Sequence, residues 1–232
     1  MLKRRQVLTS STALALAALP FMPARAQRIA DTFVASFDPL RTPVPPVLDA
    51  SKGEKSEVRQ FFAYWCLHCS NLEPAFLKWE KSAPKSIKVV RTPVAFSEPQ
   101  KPLATLFYVL DSFPNASDLH VAVFSAIHNT RVLPANAPAS KLMDFAVNAL
   151  KLPRDKVEAT WSSFAVQTKM RQAISALETY EIESIPLFVV QGRYKTSPSR
   201  MANAPAGEGL RGDALYNAMF KAIETAAVSL QN

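Results

Sequence analysis

The alternation of apolar and polar positions divides the chain into strand-like runs near its two ends and helix-like stripes between them. Val58-Arg-Gln-Phe-Phe-Ala63 is short and rich in aromatic and β-branched residues, follows a charged loop at 51–57, and predicts a buried strand. After Cys66 the period changes. Leu72, Phe76 and Trp79 stand at i, i+4 and i+7, one face of a helix that ends near Pro84. Residues 87–94 predict a second strand, and strand–helix–strand implies a parallel pair with a right-handed crossover. From 97 to about 179 the stripes are helical: Leu103, Leu106, Phe107 and Leu110; Leu119, Val123 and Ile127; Leu142, Phe145, Ala146 and Ala149, with Ser140 as cap; 155–164; and Met170, Ile174 and Leu177. Pro114, Pro134, Pro138 and Pro153 punctuate them. So long a periodic stretch must bury a face of its own, so it is an insert and not a loop. Leu187-Phe-Val-Val190, Gln191-Gly192 and Arg193-Tyr-Lys-Thr196 read as a hairpin, 197–212 as a polar loop, and Asp213 as the cap of a last helix carrying Leu215, Met219, Ala222 and Ala226. At the front, 31–37 reads as a short strand, and Pro39, Pro43, Pro45 and Pro46 mark a rigid connector. The order is that of an α/β fold with a split sheet and an all-helical insertion: 27–96 and 180–232 form the sheet unit and 97–179 the insert.

The first residues change where this fold is expected to work. Met1-Leu-Lys-Arg-Arg5 is basic and free of acids, residues 8–22 are mostly apolar, and Ala24-Arg-Ala26 offers small residues where a signal peptidase reads. The run is short for a membrane span and is broken by polar residues, so 1–26 reads as a cleaved signal peptide and the mature chain as exported. Arg4-Arg5-Gln-Val-Leu8 also resembles a twin-arginine signal, which leaves both export routes open. Cleavage removes four cations and no acid and halves the formal charge of +8. The remaining excess is scattered, without basic blocks or interleaved aromatics, which argues against nucleic acid as a partner. About 206 residues remain, enough for one large domain or one domain with an insertion.

Candidate chemistry gathers in one place. Cys66 and Cys69 are the only two cysteines, separated by Leu67 and His68. As a staple the pair is poor, because so small a loop restricts the unfolded chain little. As a zinc site it is half complete: about four ligands are needed, and the remaining candidates are His68, His120 and His128, the latter two on an ordinary-looking helix. No metal and no cofactor is expected. A redox pair fits. A cysteine between a strand end and a helix start faces unpaired N–H groups and the positive end of the helix dipole, which favour thiolate. Cys66 takes that place, Cys69 lies one turn on where it can attack a mixed disulfide, and a protonated His68 would further stabilise the thiolate.

Phe61-Phe-Ala-Tyr-Trp-Cys-Leu-His-Cys69 resembles the active-site segment of DsbA-type periplasmic thiol:disulfide oxidoreductases, whose usual motif is Cys-Pro-His-Cys. Ser184-Ile-Pro-Leu-Phe-Val-Val-Gln-Gly-Arg-Tyr194 resembles the family's cis-proline loop and last hairpin, and the helical insert matches in place and size. The resemblance spans nearly the whole mature chain. It implies a thioredoxin-like fold with a helical insertion, Cys66 as attacking nucleophile, Cys69 as resolving thiol, His68 as thiolate stabiliser, and Pro186 as a cis-proline. Ile185, where the family usually has valine, would turn its backbone toward a substrate strand. From the residues alone, Pro186 reads only as a strand-start proline. The resemblance further implies a monomeric periplasmic enzyme that oxidises reduced, unfolded exported proteins and is itself reoxidised by a membrane, quinone-linked partner of the DsbB kind.

Three positions depart from the family. Leu67 replaces the usual proline, Gln60 stands where a buried acid is common, and Arg91 where a lysine is common. Proton handling near Cys69 must then differ, with Glu73 as the nearest candidate carboxylate, although a lone helix carboxylate is usually solvated. Two other functions compete. One is an isomerase or reductase of the same fold, against which the roughly thirty residues between Gln27 and Val58 leave no room for a dimerisation domain. The other is a non-catalytic chaperone that grips unfolded chains between insert and sheet.

Overall fold

The computed structural model describes residues 35–230; the expected signal peptide lies outside the described residues, as do 31–34 of the first expected strand. Five strands, β1 (Asp38–Pro39), β2 (Ser56–Phe62), β3 (Ile87–Pro93), β4 (Leu187–Val190) and β5 (Tyr194–Thr196), form one mixed sheet in the order β1-β5-β4-β2-β3. β2 runs parallel to β3, with Gln60 opposite Arg91, and antiparallel to β4, with Gln60 opposite Phe188. The parallel pair is joined by α1 (Leu67–Ser82), as the crossover rule requires. α2 (Lys101–Leu110), α3 (Ala116–Phe124), α4 (Ala139–Leu150), α5 (Arg154–Trp161) and α6 (Phe164–Thr179) stand between β3 and β4; α7 (Pro198–Ala202) and α8 (Gly212–Ser229) follow β5.

Two cores place the cysteines. On one side of the sheet, Phe76 and Trp79 of α1 meet Phe188 of β4 and Met219, Phe220 and Ile223 of α8, with Trp79 stacked on Phe220 at 5.0 Å. The other core belongs largely to the inserted helices, and it does not stop at them. Phe62, Tyr64, Cys66 and Cys69 pack in the same buried cluster as Leu106, Leu110, Phe124 and Leu142, so the insert is built directly onto the cysteine turn.

The hairpin turn between β4 and β5 has Gln191 at φ 54° and Gly192 at φ 59°, the two left-handed positions of a type I′ turn. Gly192 is required there for a second reason: a Cβ would lie 1.6 Å from the carbonyl oxygen of Val44, whose N–H binds the Gly192 carbonyl at 2.7 Å. The proline-rich connector is thereby clamped to the hairpin.

Several local expectations are corrected. Ala35 and Ser36 are helical and the strand is only Asp38–Pro39, because its partner β5 is itself three residues long. Asp213 sits in the first turn of α8 and Arg211 at its cap position; α4 likewise starts after Pro138, leaving Ser140 inside the helix. The polar stretch 197–212 contains α7, which Ser197 caps by accepting the Arg200 N–H at 3.1 Å. α3 ends differently from its stripe: it passes into a π turn, Ser125–Asn129, in which the Thr130 N–H reaches the Ser125 carbonyl at 2.9 Å. Among the described residues no helix is long and apolar enough to cross a membrane.

Candidate active site

The turn 63–66 carries the chain from the end of β2 into α1 and leaves Cys66 as the N-cap residue of that helix, with extended backbone at φ −86° and ψ 112°. The sulfur takes the position of a capping side-chain oxygen: Cys66 Sγ accepts the N–H of Cys69 at 3.3 Å. Both cysteines are thiols, Cys66 7% exposed and Cys69 fully buried. Across the cleft the Ile185–Pro186 peptide bond is cis, and the Ile185 carbonyl lies 3.8 Å from Cys66 Sγ, placed to accept its S–H. Leu67 (55% exposed) and Phe96 (44%) give this end of the molecule apolar surface, and the Phe96 ring lies 6.4 Å from that of Trp65.

The two sulfurs differ in chemistry because they differ in surroundings. The Cys69 thiol hydrogen-bonded to the Cys66 sulfur is the largest influence drawing Cys66 down, to a pKa of about 6; burial opposes it, and the backbone N–H groups of Cys69 and His68 and the charge of His68 assist. Cys69 moves the other way. Burial first, then its bond to Cys66 and the charges of Cys66 and Glu73, push its thiol far above the ordinary range. At neutral pH one sulfur is a nucleophile and the other holds its proton. The imidazole of His68 is solvent-exposed, and its charge ranks behind the thiol of Cys69 and the helix donors in stabilising the Cys66 thiolate.

Beneath Cys69 lies a buried charge pair that the sequence left open. Arg91 on β3 donates from Nη2 to Glu73 Oε2 at 2.7 Å and from Nε to Gln60 Oε1 at 3.0 Å. Its guanidinium lies over the rings of Phe62 and Phe76 at 4.6 and 4.8 Å. Glu73 is 3% exposed, so the solvated reading fails for it; burial raises its pKa and Arg91 opposes the rise. An acid therefore does accompany the basic residue, supplied by α1 one turn beyond Cys69 and not by β2. The i, i+4 spacing of Cys69 and Glu73 was the available signal.

His120 and His128 are absent from the sulfur pair and meet at Tyr64 instead. Tyr64 Oη is hydrogen-bonded to His120 Nδ1, and His128 Nε2 donates to the Tyr64 carbonyl at 2.7 Å. His120 is 3% exposed, stacked on Phe107, and held neutral by burial, at about 3. Nothing in the sequence pattern announced this pairing. Among the described residues no group of three or more His, Cys, Asp or Glu side chains is placed to hold a metal ion.

The chain is 37% identical over 163 residues to the thiol:disulfide interchange protein DsbA of Bordetella parapertussis, covering 70% of this chain and 76% of that one. It is 31% identical over 194 residues to the protein of the same name from Pseudomonas aeruginosa, covering 83% and 86%. No family model matches. Among solved structures, the crystal structure of Pseudomonas aeruginosa DsbA superposes with a TM-score of 0.64 at 28% identity over 72% of this chain and 84% of that one. A Proteus mirabilis DsbA variant solved with a non-covalently bound peptide, PWATCDS, shares the fold with a TM-score of 0.69 at 19% identity, over 84% and 96%. The fold is thioredoxin-like with a helical insertion, and the chain belongs to the DsbA family of thiol:disulfide interchange proteins.

Proposed function

We propose that the chain is a periplasmic dithiol oxidase that transfers the Cys66–Cys69 disulfide to reduced, unfolded exported proteins. The observation that carries this reading is the asymmetry of the pair: a sulfur on a helix N-terminus held as thiolate, and a buried thiol one turn behind it. A substrate thiolate attacks Cys66 Sγ of the oxidised pair. The Cys66–Cys69 bond breaks, and Cys69 leaves with the electron pair and takes up a proton. A second substrate thiolate then attacks the substrate sulfur of the mixed disulfide; the substrate disulfide forms and Cys66 departs as the stabilised thiolate. Two electrons have passed to the pair, which a membrane, quinone-linked partner of the DsbB kind takes on. The Ile185 carbonyl faces the reacting sulfur; in this reading Ile185 and Pro186 form the wall along which a substrate strand lies, His68 adds charge, and the enzyme works as a monomer. The test is which sulfur is trapped. Cys69→Ser should accumulate mixed disulfides between Cys66 and exported proteins, because Cys69 can no longer attack Cys66 Sγ and release a partner that lacks a second thiol in reach, whereas Cys66→Ser should accumulate almost none. Equal trapping by the two variants would refute the order of attack. Survival of the cellular function in the double serine variant would make the protein a chaperone instead, and a pair found mostly reduced in cells would make it a reductase or isomerase.

A further inference from the structure

Between the last ladder residue of β2, Phe62, and the first residue of α1, Leu67, the turn 63–66 has no strand partner to fix it. What holds it is the insert. The Tyr64 carbonyl, two residues ahead of Cys66, accepts from His128 Nε2 at 2.7 Å, and the Tyr64 hydroxyl is bonded to His120. The Cys66 N–H closes the turn onto the Ala63 carbonyl at 3.1 Å. A carbonyl only accepts, so His128 carries its proton on Nε2. His128 reaches this position from the π turn Ser125–Asn129, which takes one residue more than an α turn and so rotates the side chains beyond it. Its ring stacks against Phe124 at 6.3 Å, which directs Nε2 at the turn.

The placement of that turn matters because the sulfur is held at the very end of α1. Cys66 Sγ receives the Cys69 N–H at 3.3 Å, and the influence of a helix terminus falls off within its first turn. A small displacement of residues 63–66 moves the sulfur away from its donors without altering any of the groups that face it, namely Cys69, His68 and the Ile185 carbonyl.

We propose that His128 is a positioning residue for the Cys66 sulfur: by fixing the Tyr64 carbonyl, it makes the helical insert, and not α1 alone, determine how well the thiolate is held. This rests on the dithiol chemistry above. The test uses the reduced full-length protein and three variants, His128→Ala, His128→Leu and His128→Gln, with Cys66 thiolate absorbance followed against pH and redox equilibrium measured against glutathione. Leu fills the space without a donor, whereas Gln returns an N–H near the position of Nε2. Ala and Leu should both shift the thiol–thiolate equilibrium toward thiol by about tenfold and make the pair less oxidising by a similar factor, and Gln should recover to within about threefold of wild type. A histidine that merely packs would lower the stability of oxidised and reduced protein alike and leave titration and redox equilibrium unchanged, and that result overturns the proposal. If the Ala variant does not fold, the Leu and Gln pair decides: equal titrations overturn it. A wild-type Cys66 that titrates like a free thiol would sink the dithiol reading itself, whereas a low wild-type value unchanged in every variant sinks the positioning role alone.

Discussion

A thiolate held by the fold must make the reduced protein's stability depend on pH, and the size of the effect follows from the geometry of Cys66. Cys66 titrates at about 6 in the folded protein. In the unfolded chain it titrates near the free value of ~8.5. The folded value is the lower one, so the stabilisation is complete above the unfolded value and is lost as pH falls through about 6. Serine at position 66 supplies the reference, because its hydroxyl still caps α1 but does not ionise. Relative to Cys66→Ser, the reduced wild type should gain about 2–3 kcal/mol between pH 5 and pH 8, roughly half of it by pH 7. The window stops there because Cys69, whose folded value is raised, contributes stability that is lost once pH passes its unfolded value.

Urea unfolding of both proteins under reducing conditions at pH 5, 6, 7 and 8 reads the difference directly. The same free energy stabilises the dithiol against the disulfide and corresponds to a potential more oxidising by on the order of 50 mV at pH 8. A difference between the two proteins that stays flat across the window would show that Cys66 is not a thiolate in the native state, and the assignment of the attacking sulfur would lose its physical basis. A difference that shrinks with rising pH would mean that burial outweighs the donors.

Two further outcomes test the surroundings of the pair. Glu73→Leu and Arg91→Met should each destabilise the protein by about 3–5 kcal/mol, since each strands a buried charge, and the double variant should cost clearly less than either single one; additive losses by urea unfolding would mean that the two groups are not paired. His68→Ala should raise the Cys66 titration by less than Cys69→Ala does, because the charge on the exposed ring ranks behind the thiol bonded to the sulfur; the reverse order in thiolate absorbance would place the imidazole over Cys66.

The elements were legible where periodicity and punctuation agree. The strand ahead of Cys66, the helix through Trp79 and the Gln191-Gly192 hairpin stand where alternation and turn residues put them, and the Gly192 backbone also serves Val44, a constraint from a distant segment that no local pattern contains. The cysteine pair was legible because its chemistry depends on neighbours in sequence: a strand end, a helix start and a spacing of three. Its setting was not. Glu73 looked like a solvated helix carboxylate because an isolated helix has no knowledge of β3, and only the parallel register that sets Gln60 beside Arg91 brings the guanidinium within 2.7 Å of it. The π turn was hidden for a similar reason. Leu119, Val123 and Ile127 continue an α stripe, and nothing local in it marks the π turn from which His128 reaches a carbonyl sixty-four residues earlier.

The departures at Gln60, Arg91 and Leu67 bear on the pair unequally. Where the resemblance leads one to expect a buried acid on β2, Gln60 carries no charge, and Arg91 is paired instead with a carboxylate from α1. That carboxylate is fixed to the helix that carries both sulfurs, so it moves with them, whereas an acid on the strand would move with the sheet. Arginine suits this arrangement better than lysine would. Its planar fork reaches Gln60 and Glu73 at once while its face lies on Phe62 and Phe76, and a single ammonium offers neither the fork nor the stacking face. Leu67 acts on a different quantity. It is exposed at the mouth of the site and supplies apolar surface beside the sulfur, so exchange to proline there should alter what the site grips more than how Cys69 handles its proton. The three positions thus separate into one residue of the contact surface, Leu67, and a charge-balanced pair beneath Cys69 in which Glu73 answers Arg91 while Gln60 stays neutral.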